Sequence, residues 1–225
     1  MKINFQYIDN DIVLSDNKIM VMEVENKSYF YRIINDLNLI SHGNILETVI
    51  AYDNEDSEII LSNKIEIYVD YFNIELNSKK NLVFLYKTLQ NSINDEDKDN
   101  IAKYYTKIKN ILSKSLLDSN LSLSINDEYD LENLLKLFKI NIALQNNLLD
   151  NLLLIIDINT MFKNNDLLIF VNLKQYLTKI ELEELYKYSI YNDVKILLID
   201  SQCYGVTSDL EKKLIIDLNL DEFLI

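Results

Sequence analysis

The sequence predicts an α/β protein in which a helical insertion separates two sheet-building halves. Near the C-terminal end, residues 167–171 are apolar throughout, and residues 194–199 are apolar apart from Lys195. Runs of this kind suit strands covered on both faces, as in a parallel sheet. The amphipathic stretch between them opens with Thr178-Lys179-Ile180-Glu181, a capping box. The Thr hydroxyl accepts from an orphan amide and the Glu carboxylate reaches back to the cap. Strand, capped helix and strand make a β-α-β unit. From about residue 77 to residue 161 the apolar spacing turns helical, which marks the insertion.

Taken in order, residues 3–5 and 19–24 read as strands. Residues 28–40 read as a helix with Phe30, Ile33, Ile34 and Leu37 on one face. Residues 45–52 and 59–61 read as strands, and 65–69 alternates. Asn54-Glu55-Asp56-Ser57 is a turn by composition. In the insertion, Leu82, Leu85, Tyr86 and Leu89 recur at helical spacing, and Asn94 to Asp97 is a polar break with acids at a helix start. The next helix covers residues 97–117. Residues 121–125 are a short strand or extended link. Asp127 opens a helix carrying Leu131, Leu134, Leu135 and Phe138, and a last helix covers 146–161. The predicted domains are a sheet-bearing head, residues 1–76 and 162–225, and a helical domain, residues 77–161.

The composition excludes much chemistry. The chain has 225 residues, 48% of them hydrophobic and 26% charged, as in an ordinary globular protein. No apolar run approaches a membrane span, and Asn4, Gln6, Asp9 and Asp11 interrupt any signal-peptide pattern. A cytoplasmic location is expected, and the single Cys203 agrees with a reducing compartment. Gly43 and Gly205 are the only glycines, too far apart for a phosphate-cradling or dinucleotide loop. One His and one Cys cannot make an ordinary zinc site. His42 precedes Gly43, so it reads as a helix C-terminus beside its cap rather than a catalytic base. Cys203 reads as a small core residue.

Three constellations remain. On the helix 97–117, Ile101, Tyr104, Tyr105, Ile108, Ile111 and Leu112 share a face that reads as core-packing. Lys103, Lys107 and Lys114 share the opposite face; amines ~6 to 10 Å apart can track duplex phosphates or simply solvate a surface. Lys109, and Lys136 with Lys139 on the following helix, are further candidates. The acids Asp118, Asp127, Glu128 and Asp130 suit either a calcium site or a helix N-terminus. The tyrosine groups Tyr68 and Tyr71, Tyr104 and Tyr105, and Tyr186, Tyr188 and Tyr191 read as half-buried rings with wet hydroxyls rather than base-stacking platforms. A net charge of −14 repels DNA on average, so phosphate binding requires the lysines to be concentrated in one place.

The segments LLIFVN, YLTKIELEELYKY and VKILLIDS, together with Met1-Lys2-Ile3-Asn4-Phe5, Asp9 and the strand Ile19-Met20-Val21-Met22-Glu23, carry a family resemblance. In order, spacing and length the chain resembles the ring-forming, DNA-end-binding adaptation protein of type II-A CRISPR systems, as a divergent short form. The resemblance spans nearly the whole chain, with the central third matching by pattern. It implies a head like a P-loop ATPase of the chromosome-maintenance type without a working phosphate loop, and a helical leg domain. It also implies a homotetrameric ring with a basic channel that binds linear double-stranded DNA ends, without sequence preference and without catalysis, in spacer acquisition and antiviral defence. The implied partners are DNA ends, the CRISPR integrase complex and the RNA-guided effector nuclease, and calcium would stabilise the ring. The chain departs from the family where carboxylates alternate along the extended link, because Ser122 and Ser124 stand there. Two other readings stay open. One is a degenerate metal-dependent nucleotide hydrolase or nuclease using Asp157, Asp200 or Asp217; the other is a protein–protein adaptor without DNA.

Overall fold

The computed structural model describes residues 1–117, 123–125, 129–163, 165–205 and 208–225. The chain divides into two compact units, residues 1–74 with 144–225, and residues 75–143.

The larger unit contains two sheets. A six-stranded sheet has the order β10-β9-β3-β8-β7-β6, formed by β3 (Ile19–Val24), β6 (Ile65–Tyr68), β7 (Leu167–Val171), β8 (Ile196–Asp200), β9 (Glu211–Ile216) and β10 (Glu222–Leu224). All neighbours are parallel except the edge pair β9–β10. Every residue of β3, β7 and β8 is buried. That is the physical reason for their largely apolar runs: both faces are covered, and the only charged residues in them, Glu23 and Asp200, are buried as well. A four-stranded antiparallel sheet, ordered β2-β1-β4-β5, joins β1 (Lys2–Phe5), β2 (Ile12–Val13), β4 (Val49–Tyr52) and β5 (Glu58–Ile59). Its inner residues Ile3, Phe5, Ile12 and Ala51 share one core with Met20, Met22, Ile169, Leu197 and Ile199 of the large sheet.

The mixed α/β class is as the sequence reads. Helix α1 (Lys27–Ser41) starts at Asn26, whose side chain accepts from the amides of Ser28 and Tyr29, and it buries Ile33, Leu37 and Ile40. It ends as expected at His42, with Nδ1 2.7 Å from the Asn38 carbonyl oxygen. Gly43 follows with φ of 95°, a conformation that favours glycine. Between β7 and β8 lie a 3-10 turn (Leu173–Gln175) and the helix Lys179–Tyr191, whose capping box forms completely between Thr178 and Glu181.

Three readings change. The helix expected over 146–161 is observed as Leu148–Phe162, and it belongs with the sheet-bearing unit rather than with the insertion. Its residues Leu149, Leu152, Ile155, Ile156, Ile158 and Phe162 are buried, and it packs against the helix Lys179–Tyr191. The strand expected over 45–52 begins only at Val49. Cys203, expected in the core, is exposed.

The smaller unit consists of α2 (Lys79–Ser92), α3 (Asp95–Leu117) and α4 (Leu131–Leu137). Numbered in sequence, α5 and α6 are the two helices of the larger unit, Leu148–Phe162 and Lys179–Tyr191. Asn77 ties the two ends of the smaller unit together. Its side-chain amide donates to the Ile142 carbonyl at 2.9 Å, and its carbonyl oxygen accepts from the Ile142 amide at 2.8 Å. The Tyr86 hydroxyl adds a 3.1 Å bond to the carbonyl of Ile140.

Candidate nucleic-acid interface

The local sequence explains why α3 is long. Asn94 accepts from the Asp97 amide at 2.8 Å, and its own amide donates to the Asp97 carboxylate at 2.7 Å. Asp95, Glu96 and Asp97 fill the first turn and Lys114 lies in the last, so both ends complement the helix dipole. Lys103, Lys107 and Lys114 are exposed, as the sequence reading requires of a phosphate-facing row. The four- and seven-residue intervals between them amount to roughly 6 and 10 Å along the axis. Lys109 is half-buried and lies away from that row.

The opposite face of α3 departs from expectation. Tyr104, Ile108, Ile111 and Leu112, read as core-packing, are 63%, 57%, 66% and 54% exposed. Of that face Ile101 and Tyr105 are partly covered; the other partly covered positions of α3 are Lys98, Asn100, Ala102, Lys109, Ser113 and Leu116. Helical periodicity found an apolar face but not which neighbour covers it. The Lys107 ammonium lies 5.4 Å from the centre of the Tyr104 ring, so the lysine row borders this apolar surface. Tyr105 packs edge-on against Tyr129 at 5.3 Å.

The candidates on α4 differ in kind. The Lys136 ammonium is 2.6 Å from the Glu132 carboxylate, and that hydrogen bond raises its pKa above the ordinary lysine value. Lys139 is exposed and follows the helix with φ of 52°, where its amide donates to the Lys136 carbonyl. It therefore helps to end α4. Of the four acids read as a calcium site, Asp118, Asp127 and Glu128 lie outside the described residues, as does Ser122. Asp130 is the N-cap of α4, accepting from the Glu132 amide at 2.8 Å. Among the described residues no three His, Cys, Asp or Glu side chains are grouped to hold a metal ion.

The other place to look for chemistry is the carboxyl edge of the parallel sheet, where α/β proteins commonly bind ligands. Only Glu25 and Asn26 connect β3 to α1, and Asn26 is spent on capping, so no phosphate loop can form there. Behind this edge, along one face of the sheet, lies an ion network that the sequence reading missed. Lys174 contacts Glu23 at 3.3 Å and Glu211 at 3.1 Å. Lys213 contacts Glu23 at 2.8 Å and Glu211 at 3.6 Å, and it also donates to the Gly205 carbonyl. The acids named for a hydrolase have separate duties. Asp157 accepts from the Tyr188 hydroxyl at 2.6 Å, and Asp217 accepts the amides of Asn219 and Asp221 in the turn before β10. Asp200 is buried at the end of β8.

The tyrosines divide by position. Tyr186 and Tyr71 are buried, with hydroxyls bonded to Glu211 and to the Val171 carbonyl. Tyr68 stacks on Phe170 at 5.3 Å. Tyr191, by contrast, is almost fully exposed at the end of α6. No described helix is long and apolar enough to cross a membrane.

Comparison with known proteins agrees with this architecture. A family model described as CRISPR-associated protein (Cas_Csn2) matches residues 43–220. The CRISPR-associated protein Csn2 of Streptococcus agalactiae is 25% identical over 194 residues, covering 84% of this chain and 83% of that protein. Its namesake from Enterococcus faecalis is 22% identical over 213 residues, 90% of each. Among solved structures, Stu0660 of Streptococcus thermophilus has a similar fold, with a TM-score of 0.62 at 13% identity, covering 96% of this chain and 75% of that one.

Proposed function

Because the chain belongs to the Csn2 family of CRISPR-associated proteins, we propose that it acts in CRISPR adaptation as a sequence-independent binder of linear double-stranded DNA ends. The reading is that of a non-enzymatic homotetrameric ring in the cytoplasm, through whose bore a DNA end is threaded. It works beside the CRISPR integrase complex and the RNA-guided effector nuclease. The observation that carries it is the exposed row of Lys103, Lys107 and Lys114 on α3. In a chain of net charge −14, such a row is a local positive stripe against a repelling background. Amines at these intervals contact phosphates rather than base edges, so every sequence binds alike. Calcium enters this reading only as an ion to be tested.

The test is a mobility shift with linear and covalently closed circular duplexes of one sequence, each with calcium and with a chelator. Retention of the linear form alone supports end-threading, and its loss in chelator supports calcium in the assembly. Equal retention of both forms means a surface groove. Retention of neither form leaves the adaptor reading. The hydrolase or nuclease reading predicts magnesium-dependent turnover of ATP or DNA in parallel samples.

A further inference from the structure

The ion network that runs along one face of the parallel sheet, from Glu211 at the start of β9 to Glu23 and Asp200 near the carboxyl edge, contains among the described residues one negative charge more than its ammonium groups balance. Glu23 and Asp200 are register partners at the ends of β3 and β8, and both are fully buried. Lys174 and Lys213 reach Glu23 through the same oxygen, Oε1, at 3.3 and 2.8 Å. Both also reach Glu211, which accepts the Tyr186 hydroxyl at 2.8 Å. Two ammonium groups therefore face three carboxyl groups. Glu23 Oε2 and both carboxyl oxygens of Asp200 have no hydrogen-bond partner among the described residues. The Lys174 backbone amide faces Asp200 and favours its ionised form, but less than burial opposes it. An ionised carboxylate in such a setting is strongly disfavoured, and the cheapest remedy is neutralisation.

We propose that Asp200 and Glu23 share one bound proton, with Asp200 as a carboxylic acid donating to Glu23 Oε2, and that the fold holds this proton in mild acid and gives it up across neutrality. The proton comes from solvent and returns to it when Asp200 ionises. It brings the cluster to zero net charge and gives the orphaned Oε2 a donor. Adjacent parallel strands in register project these two side chains to the same side of the sheet, which brings the pair together. The groups facing Asp200 are Lys174 from the 3-10 turn, Glu23 from β3, Glu211 from β9 and Tyr186 from α6, with the phenols of Tyr71 and Tyr204. Burial dominates this environment and pushes the Asp200 carboxyl from 3.8 to about 7, against the pull of Lys174.

The folded state holds a proton that the unfolded chain releases near pH 3.8, so stability falls as pH rises from there to about 7 and is level above it. The carboxyl edge is thus tightest in mild acid. The shared proton does not depend on DNA binding.

Infrared spectra of the full chain in heavy water, from mild acid to alkaline pH, read the proton directly. Wild type is expected to show the carbonyl stretch of a protonated carboxylic acid near pH 6, weakened near pH 7 and lost in alkali. Absence of that band overturns the proposal whatever any variant does. Urea unfolding at fixed protein concentration, with Asp200→Asn beside wild type, gives the second reading. From pH 5 to pH 8 the wild-type unfolding constant is expected to rise roughly 100-fold more than that of the variant, whose amide mimics the neutral acid. An equal slope in both proteins overturns it. So does wild-type stability that depends on exchanging tetramethylammonium for sodium or potassium, which would assign the position to a metal cation.

Discussion

The hydroxyl of Tyr186 on α6 donates a 2.8 Å hydrogen bond to Glu211 on β9, deep inside the larger unit. Neither atom can turn to water, because both residues are buried. Burial, followed by the charge of Glu211, drives the phenol far above its ordinary pKa, so it remains a donor at every pH the protein survives. Tyr186→Phe keeps the ring packing and removes only that donor. A hydrogen bond to a charged group contributes about 1.5 to 3 kcal/mol. The midpoint of urea unfolding should fall accordingly, with the urea dependence of the free energy unchanged.

Lys174 bridges Glu23 and Glu211 with both acids almost fully buried. Lys174→Met removes one ammonium from beneath two carboxylates. Breaking one side of such a network costs about 3 to 5 kcal/mol, far more than losing a surface pair. Thermal unfolding followed by circular dichroism should show a large drop. A change smaller than that of an exposed control such as Lys187→Met would mean that the network does not support the fold.

The α3 row predicts a salt effect. Each phosphate neutralised by a lysine adds about 0.9 to the slope of log affinity against log salt for duplex DNA. Lys107→Gln and Lys114→Gln should each weaken binding equally for unrelated sequences and flatten the slope by about that amount. Lys136→Gln should do less, because Lys136 is already paired with Glu132. Filter binding over a series of salt concentrations decides between them.

Cys203 is exposed, yet its thiol is pushed up to about 11 by partial burial and then by the nearby charges of Glu25 and Glu23. The thiolate is the reactive species, so alkylation should be slow at pH 7.5 despite access and should rise steeply in alkali. Iodoacetamide labelling read by mass spectrometry measures this. Glu25→Gln should speed the reaction near neutrality.

Parts of the fold were legible because their signals are local. The strands at 167–171 and 196–200 carry their own burial in the apolar runs 167–171 and 196–199, and the Thr178–Glu181 box lies within four residues. The strand β9 was not legible. Its sequence EKKLII places Glu211 and Lys213 inside, where ion pairs rather than side-chain character justify their burial. Those pairs join residues as far apart as Glu23 and Lys213, a separation of 190, so no window on the sequence contains them. The lysine row on α3 was visible in its spacing. The exposure of Tyr104 and Ile108 beside it was not, because periodicity reports a face and not its neighbour.

The reciprocal bonds between Asn77 and Ile142 have a consequence for how this gene can vary. The chain enters and leaves the smaller unit at points held side by side. Turns can therefore be added to or deleted from its helices without changing the gap that the rest of the chain must bridge. The unit is built as a cassette, with the Asn77–Ile142 pair as its doorway.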